Sequence, residues 1–358
     1  MSTKFFIGKN ILIVSPESWN QLFVSKHNYA IELAKYNKVY FLNPPGRKYS
    51  CQETRYKNVW EVNYTKFIKG LRFLPRFIQR TLMKLKFAHL QQMASVKFDC
   101  VWSFDNSVFF DFSFLPQQIL AISHIVDYSQ NFQFETTAST ADLCFGISQN
   151  IVDRLVLFNK NSYLMPHGIS IDLASLPGVT LPGLNTTKAI YAGNLNSKYL
   201  DRKTFNRLIS QNPKVDFIFL GSGSDSWDKK TNTFFLGIIE RKLLMNYLEK
   251  ADVLLMLYDV EKFPDQLTNA HKLLEYLSAG KVTVSNFVRD YKDKSHLLRM
   301  ALSNADILAV FSEVISDLSF YNNAENIKVR KSFAARNTYA HRLQEIEQLI
   351  KGISKNSF

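Results

Sequence analysis

The chain has 358 residues, of which 46% are hydrophobic, and it carries a formal net charge of +13 at pH 7. This length suffices for two domains of ordinary size, and the composition excludes a disordered or low-complexity protein. No run approaches the roughly 18 apolar residues of a membrane-spanning helix, and the first ten residues lack the apolar core of a signal peptide. We therefore expect a protein that is soluble or attached to a membrane surface.

The cysteines indicate the cellular compartment, and the charge indicates the class of partner. Cys51, Cys100 and Cys144 form neither a CxxC metal pattern nor an even-numbered disulfide framework, which favours a reducing compartment. The positive charge indicates an anionic partner, either a lipid surface or a phosphorylated small molecule. No helix-turn-helix, zinc-finger or RNP-type pattern is present, so we expect no nucleic-acid partner.

The first half alternates predicted strands and helices. An apolar run at 10–15 predicts a buried strand, 27–35 a helix, and 38–42 a second strand, which together form a βαβ unit. The unit lacks the G-x-G-x-x-G fingerprint, which argues against a tightly held dinucleotide at its first loop. Further strands are predicted at 99–104, 119–126 and 141–147, and a helix at 151–158.

The segment 64–90 combines cations with large apolar residues and contains no Asp or Glu. Its cations are Lys66, Lys69, Arg72, Arg76, Arg80, Lys84 and Lys86. This composition is typical of a helix that lies on an anionic membrane, and Pro75 predicts a division into two short helices. The alternative is an amphipathic helix packed on the first domain with a solvated basic face.

The second half repeats the alternation. Strands are predicted at 188–192, 215–220, 233–236 and 253–257, and helices at 202–210, 240–248, 272–278 and 339–351. Two doubly wound parallel sheets follow from this order, with a domain boundary near Pro166.

The segment 269–285 (NAHKLLEYLSAGKVTVS) is the most informative of the chain. Its apolar leucines recur at helical spacing, while Lys272 and Glu275 lie three residues apart on a second face. Gly280 is placed to end the helix before a β-branched strand. A cation at a helix start with a carboxylate one turn on suits a ligand that carries phosphate and sugar hydroxyls. An ordinary helix with a solvated Lys–Glu pair has the same pattern.

Several motifs occur in the order found in one known family. Residues 272–284 resemble K-L-x-E-Y-L-A-A-G-K-P-V-V, 165–168 (MPHG) resemble a P-N-G turn, and 191–195 (YAGNL) resemble Y-x-G-x-L. Residues 217–223 (FIFLGSG) and 251–255 (ADVLL) match its strand-then-glycine and A-D-V-x-L motifs. The chain thus resembles the retaining GT-B glycosyltransferases of glycosyltransferase family four. The stretch from Gly193 to Asp201 is similar to a bacterial cell-surface polysaccharide subgroup.

The resemblance implies two Rossmann-like domains that face each other across a cleft. Residues 1–166 would bind the acceptor, 167–335 would bind a UDP- or GDP-sugar, and 336–358 would cross back to the first domain. The implied reaction moves the sugar to a glycan or lipid-linked acceptor, with retention and without a metal or other cofactor. The implied location is the cytoplasm, at the inner face of the plasma membrane.

The donor site is implied residue by residue. Lys272 would meet the diphosphate and Glu275 the ribose hydroxyls. Further donor contacts are implied at Gly193, Asn194, Lys198, Gly221, Ile238, Asn269, His271 and Leu273. Lys198 could equally be a surface lysine. The chain departs from the family at Leu267, Asn194 and Val282, where relatives carry a glutamate, an arginine and a proline.

Acceptor chemistry is expected at strand ends of the first domain, because ligands collect at the carboxyl edge of a parallel sheet. Asp127 is the first candidate for orienting or deprotonating the acceptor hydroxyl, and His124 the second, although a core histidine is a common alternative. Asp105 has a similar position. Trp19 and His27 are candidate acceptor contacts, and Trp19 could equally serve packing.

Two other functions fit the same pattern. A nucleotide-sugar epimerase can share the double-Rossmann architecture, and a sugar-nucleotide-binding subunit without turnover is compatible with Leu267 and Asn194.

Overall fold

The computed structural model of the protein describes residues 5–21, 23–66, 70–128, 130–170, 178–264 and 271–353, with the side chains of all of these except Arg241 and His271. The chain divides into two compact units. The first comprises Met1–His167 and Tyr339–Phe358, and the second comprises Gly168–Thr338.

The described residues form fourteen strands and eleven α-helices. The strands are β1 (Asn10–Val14), β2 (Lys38–Leu42), β3 (Ser50–Glu53), β4 (Val59–Asn63), β5 (Cys100–Ser103), β6 (Leu120–Ile125), β7 (Leu143–Gly146), β8 (Ser162–Leu164), β9 (Thr187–Ala192), β10 (Val215–Leu220), β11 (Thr233–Gly237), β12 (Val253–Met256), β13 (Val282–Asn286) and β14 (Arg299–Ala301). The helices are α1 (Ser25–Leu33), α2 (Arg76–Ala94), α3 (Phe134–Thr140), α4 (Gln149–Leu155), α5 (Arg202–Gln211), α6 (Arg241–Glu249), α7 (His271–Ala279), α8 (Ile307–Ser316), α9 (Leu318–Tyr321), α10 (Ala324–Ala335) and α11 (Tyr339–Gly352).

In the first unit the strands form one sheet in the order β3-β4-β2-β1-β5-β6-β7-β8. Every described pairing is parallel except that of the edge strand β3 with β4. Alternate residues of β1 enter two separate cores, one built with α2 and α4 and the other with α1 and α11. Helices therefore cover both faces, as the uninterrupted apolar strands require.

The C-terminal helix α11 belongs to the first unit, where it packs beside α1. The ring of Tyr339 meets that of Tyr29 edge-on with a centroid distance of 4.9 Å. The Glu347 carboxylate accepts a hydrogen bond from the main-chain N–H of Phe6 at 3.1 Å.

The second unit has a parallel sheet in the order β11-β10-β9-β12-β13-β14. One face packs against α5 and α8, and the other against α7 and α10. The expectation of two Rossmann-like parallel-sheet domains is confirmed.

The region after Pro75 differs from the prediction. A 3-10 turn at Leu71–Phe73 precedes the proline, and the 19-residue helix α2 follows it without interruption. Proline begins this helix rather than breaking it, because the first turn of a helix leaves its N–H groups unpaired in any case. No helix within the described ranges is both long enough and apolar enough to span a bilayer.

Candidate functional site

The topology of the second unit indicates which edge of its sheet would bind a ligand. Strand β9 lies at the centre, with β10 and β11 on one side and β12 to β14 on the other. Successive strands are therefore added on one side of β9 up to β11 and on its other side from β12 onward. Ligands of open α/β sheets bind at the carboxyl ends of the strands beside such a switch point. Gly193 directly follows β9 at this position.

Lys272, in the first turn of α7, extends its ammonium group to Gly193. A Cβ atom on Gly193 would lie 2.0 Å from Lys272 Nζ, so any side chain there would displace the ammonium. Nζ donates a hydrogen bond to Tyr191 Oη at 3.4 Å and lies 5.2 Å from the centroid of the same ring. The predicted lysine and the predicted glycine are therefore in contact.

A second glycine leaves the end of the neighbouring strand without a side chain as well. A Cβ on Gly221, which follows β10, would lie 1.8 Å from the carbonyl oxygen of Gly193. The Gly193 N–H donates to the Leu220 carbonyl at 2.7 Å, and the Gly221 N–H donates to that of Gly237 at 2.7 Å. The ends of β9, β10 and β11 thus form a surface of main chain without side chains, which a ligand can approach closely.

Tyr276, one turn after Lys272, fixes helix α7 against the sheet. Its hydroxyl accepts a hydrogen bond from the Ala192 N–H at 2.8 Å and donates to the Leu255 carbonyl at 3.3 Å. Leu273 and Leu277 are buried in the same core. The side chain of Leu273 therefore serves packing, which leaves its main chain alone available for the predicted donor contact.

The charge of Lys272 is not neutralised within the protein. No carboxylate of the described residues lies within salt-bridge distance of its Nζ. Burial lowers the pKa of Lys272 to about 8, and the nearby Glu275 opposes this shift only in part. Glu275 is itself partly buried, one turn along the same helix. The arrangement suits an anion beside the ammonium and a hydroxyl-bearing group beside the carboxylate.

The remaining donor candidates lie at or near this edge. Asn194 is exposed, and its Oδ1 accepts a hydrogen bond from the Asn196 N–H at 2.9 Å. Lys198 is exposed, with Nζ 5.2 Å from the Tyr199 ring centroid. Ile238, just after β11, is 79% exposed.

Two predicted donor positions cannot be assigned a contact. Asn269, like Leu267, lies outside the described residues, and His271 is described as the first residue of α7 without its side chain.

In the first unit, adjacent strands β1, β5 and β6 bring their carboxyl ends together. Asp105 follows β5 and is buried, and its Oδ1 accepts a hydrogen bond from the Ser107 N–H at 2.7 Å. Asp127 follows β6 and is exposed. Lys26, in the first turn of α1, joins them, because both carboxylates interact electrostatically with its ammonium. The sequence prediction missed Lys26; its position one loop after β1 was the available signal.

His124 lies inside β6, and its ring is enclosed by aromatic side chains. It stacks on Phe104 at a centroid distance of 4.8 Å and on Trp102 at 6.0 Å. Burial lowers the pKa of His124 to about 3, an effect that the main chain of Met165 offsets only in part. Neither ring nitrogen has a hydrogen-bond partner of normal geometry among the described residues. The lowered pKa makes the imidazole a weak base, and its enclosed ring is out of reach of a ligand, so the geometry of His124 favours packing over proton transfer.

Trp19 and His27 are also buried. The Trp19 ring packs on Phe41 at 5.0 Å and on the His27 ring at 5.5 Å. His27 Nδ1 accepts a hydrogen bond from the Val24 N–H at 3.2 Å, and its Nε2 lies 3.1 Å from the Ser18 carbonyl. Both side chains support the loop between β1 and α1, and neither presents a surface to a ligand.

The residues that could ligate a metal are dispersed. Across the described ranges, no group of three or more His, Cys, Asp or Glu side chains is placed to hold a metal ion. The cysteines are free thiols, two of them buried.

Comparisons with known proteins identify the fold. No family model matches the chain, and no curated protein matches it. Among solved structures, it is similar to sucrose-phosphate synthase from Thermosynechococcus elongatus (13% identity, TM-score 0.69, covering 96% of this chain and 98% of that chain). It is also similar to a glycosyltransferase from Rickettsia africae (13% identity, TM-score 0.69, covering 98% and 100%). A third match is Anabaena HepE in complex with UDP and glucose (13% identity, TM-score 0.66, covering 96% and 99%). The chain has the GT-B fold of these glycosyltransferases.

The lowered pKa of Lys272 predicts how anion binding depends on pH. A lysine with a pKa of about 8 is protonated below that pH and neutral above it. We expect the affinity for UDP to fall about tenfold between about pH 7 and pH 9, because each pH unit above the pKa removes nine-tenths of the remaining ammonium. Calorimetric titration with UDP across this range measures the effect. A Lys272→Ala variant provides the control, since its weaker affinity should not change over the same range.

Proposed function

We propose that the protein is a glycosyltransferase that moves a sugar from a UDP- or GDP-sugar to a glycan or lipid-linked acceptor, with retention of configuration and without a metal. The observation that carries the proposal is the partly buried Lys272 ammonium, which has no carboxylate partner among the described residues and lies on the bare main chain of Gly193. A site of this kind favours a diphosphate over a neutral ligand.

Lys272 acts where negative charge develops. When the bond between the sugar and the diphosphate breaks, the leaving oxygen gains charge, and a preorganised cation lowers the barrier. The glycine-lined ends of β9 and β10 let the diphosphate approach the main chain, and Glu275 accepts hydrogen bonds from the ribose hydroxyls. Anabaena HepE, which has the same fold, was crystallised in complex with UDP and glucose, and this supports a UDP-sugar donor.

Asp127 orients the acceptor hydroxyl and receives its proton as the hydroxyl attacks the anomeric carbon. Its exposure at the end of β6 leaves the carboxylate accessible to a ligand. The attack from the same face as the departing diphosphate retains the configuration without a covalent sugar–enzyme intermediate.

Removing the Lys272 charge tests the donor assignment. We expect Lys272→Ala to weaken UDP affinity roughly 30-fold, because a charge-assisted hydrogen bond contributes about 2 kcal/mol. Lys331→Ala is the matched control. Lys331 pairs with Glu249 at 2.7 Å on the surface of the same unit, and an exposed pair of this kind has little energetic effect. Equal UDP affinities for the two variants in thermal-shift titrations would contradict the assignment of Lys272 to the diphosphate.

Turnover of a nucleotide sugar distinguishes a glycosyltransferase from an epimerase and from a binding subunit. We expect a panel of UDP- and GDP-sugars to include one that stabilises the protein against thermal unfolding and is hydrolysed or transferred at an unchanged rate in EDTA. Isomerisation of that donor in NMR spectra without an acceptor would identify an epimerase. Stabilisation without any turnover would identify a binding subunit, and inactivation by EDTA would contradict metal independence.

A membrane route to the acceptor is supported by the surface around α2. One face of this helix packs into the core through Met83, Phe87 and Leu90. The opposite side of α2 exposes Phe77 and Leu85 to 70% and 63%, and the 3-10 turn before the helix exposes Phe73 to 77%. Exposed apolar side chains interleaved with cations are the composition of an interfacial helix, which favours a membrane surface over a merely solvated basic face.

Five of the predicted cations divide into two groups, while Lys69 lies outside the described residues. Arg80 pairs with Asp111 at 3.0 Å, and Lys86 Nζ donates to Tyr49 Oη at 2.6 Å, so both serve the unit itself. Arg72, Arg76 and Lys84 are exposed beside the apolar residues. Each cation near an anionic lipid surface contributes about 1 kcal/mol, which places the enzyme at the inner face of the plasma membrane in this proposal.

Vesicle binding tests this surface. We expect the protein to sediment with phosphatidylglycerol vesicles at low salt and not with phosphatidylcholine vesicles. Replacing Arg72, Arg76 and Lys84 together by Glu should reduce this binding more than tenfold. The control replaces Lys203, Arg207 and Lys214, exposed cations of the second unit, by Glu, and should bind nearly as well as the wild type. Failure of the wild type to bind either vesicle would exclude the membrane route.

A further inference from the structure

The carbonyl oxygen of Leu195, two residues after Gly193, accepts hydrogen bonds from two side chains. Arg202, the first residue of α5, donates to it from Nη2 at 2.8 Å, and the indole Nε1 of Trp227 donates to it at 3.2 Å. Leu195 is 0% exposed. Because a buried carbonyl is costly to leave unpaired, the two donors hold this peptide in one position.

The same peptide segment is held on its other side by the loop after β10. The N–H of Leu195 donates to the Ser222 carbonyl at 2.8 Å. A Cβ atom on Gly223 would lie 2.8 Å from the main-chain nitrogen of Asn196, so the two loops pack main chain against main chain. Both loops continue directly from the glycine-lined ends of β9 and β10. A shift of the Leu195 peptide would therefore move the surface on which the donor is proposed to lie.

The guanidinium of Arg202 joins these two loops. Its Nη1 donates to Ser226 Oγ at 2.8 Å, and its central carbon lies 5.5 Å from the centroid of the Trp227 ring. Trp227 in turn packs on Phe219 of β10 at a centroid distance of 5.0 Å. Each described hydrogen bond of Arg202 goes to an uncharged oxygen. The side chain thus forms a bridge of fixed shape, a role that suits a planar guanidinium and not a lysine ammonium.

We propose that Arg202 is a positioning residue of the donor site, which holds the main chain after Gly193 in the place where a diphosphate binds. The inference rests on the proposed function and deepens it, since it extends the site beyond the residues that touch the donor. Arg202 acts through the Leu195 carbonyl and does not itself contact the donor. Its contribution is geometric, so a positive charge without the bridge does not replace it.

Titration calorimetry with UDP on the full chain tests the proposal. We expect Arg202→Met, which keeps an unbranched side chain without its donors, to weaken UDP affinity about fivefold, because one hydrogen bond contributes about 1 kcal/mol. Arg202→Lys should bind UDP as weakly as Arg202→Met, since it restores the charge without the bridge. Wild-type affinity in Arg202→Lys would show that charge alone acts, and wild-type affinity in Arg202→Met would show no role; either result would overturn the proposal.

A second measurement separates positioning from a general loss of structure. In a Lys272→Ala background, we expect Arg202→Met to weaken UDP affinity by less than about twofold, because residues that act on one bound group are energetically coupled. An equal loss in both backgrounds would mean that Arg202 acts independently of the donor site, and would contradict the inference.

Two variants of the same unit serve as matched controls. Arg207→Met removes an exposed arginine from the same helix and should bind UDP as the wild type does. Asn232→Ala removes a buried amide just before β11, at the opposite edge of the sheet, where Nδ2 donates to three main-chain carbonyls at 3.1 to 3.2 Å. We expect it to lower the unfolding temperature and to leave UDP affinity unchanged.

The outcomes distinguish this inference from the proposed function. A loss of UDP affinity in Asn232→Ala as large as that in Arg202→Met would reduce the role of Arg202 to general stability and overturn the inference alone. If the wild type itself does not bind UDP, the proposed function fails, and the inference fails with it.

Discussion

The candidate donor site depends on one close approach, that of the Lys272 ammonium to the main chain at Gly193. The contact needs a residue without a side chain after β9, a second such residue after β10, and a helix held at a fixed height above the sheet. Gly221 and the hydrogen bonds of Tyr276 supply the last two conditions. A cation that is removed from water without a carboxylate partner is unfavourable in the empty protein. The same cation becomes favourable when a bound anion replaces the missing partner.

The parallel strands were predictable because their signal is local. Runs such as 38–42 and 215–220 are buried on both faces, and their predicted bounds coincide with β2 and β10. The strands β3 and β4 gave no such signal. Strand β3 is a partly exposed antiparallel edge strand of four residues. Such a position accepts polar residues, so the sequence of β3 has no apolar run. The length of α2 was misjudged for a different reason: a proline is compatible with a helix start as well as with a helix break.

The candidate site shows the same division between local and tertiary information. The spacing of Lys272 and Glu275 on one helix could be read directly, and their neighbours Gly193 and Gly221 followed from the family resemblance. The roles of Trp19, His27 and His124 could not be predicted, because the sequence alone does not tell whether an aromatic or imidazole ring faces solvent or core. Packing decided for the core in all three cases. Lys26 was missed for the converse reason, since its burial and its pairing with Glu17 are set by tertiary packing.

Lys26 in the first unit is buried, Lys272 in the second is partly buried, and the surroundings of the two differ in sign. Lys272 meets a tyrosine hydroxyl and bare main chain, so its positive charge remains available to a ligand. Lys26 is paired with Glu17 and lies near two further carboxylates, so its charge is more than balanced. Residue type alone would assign both lysines to phosphate binding. The local sum of charge separates them, because Lys272 has no carboxylate partner among the described residues, whereas Lys26 is already paired within the protein.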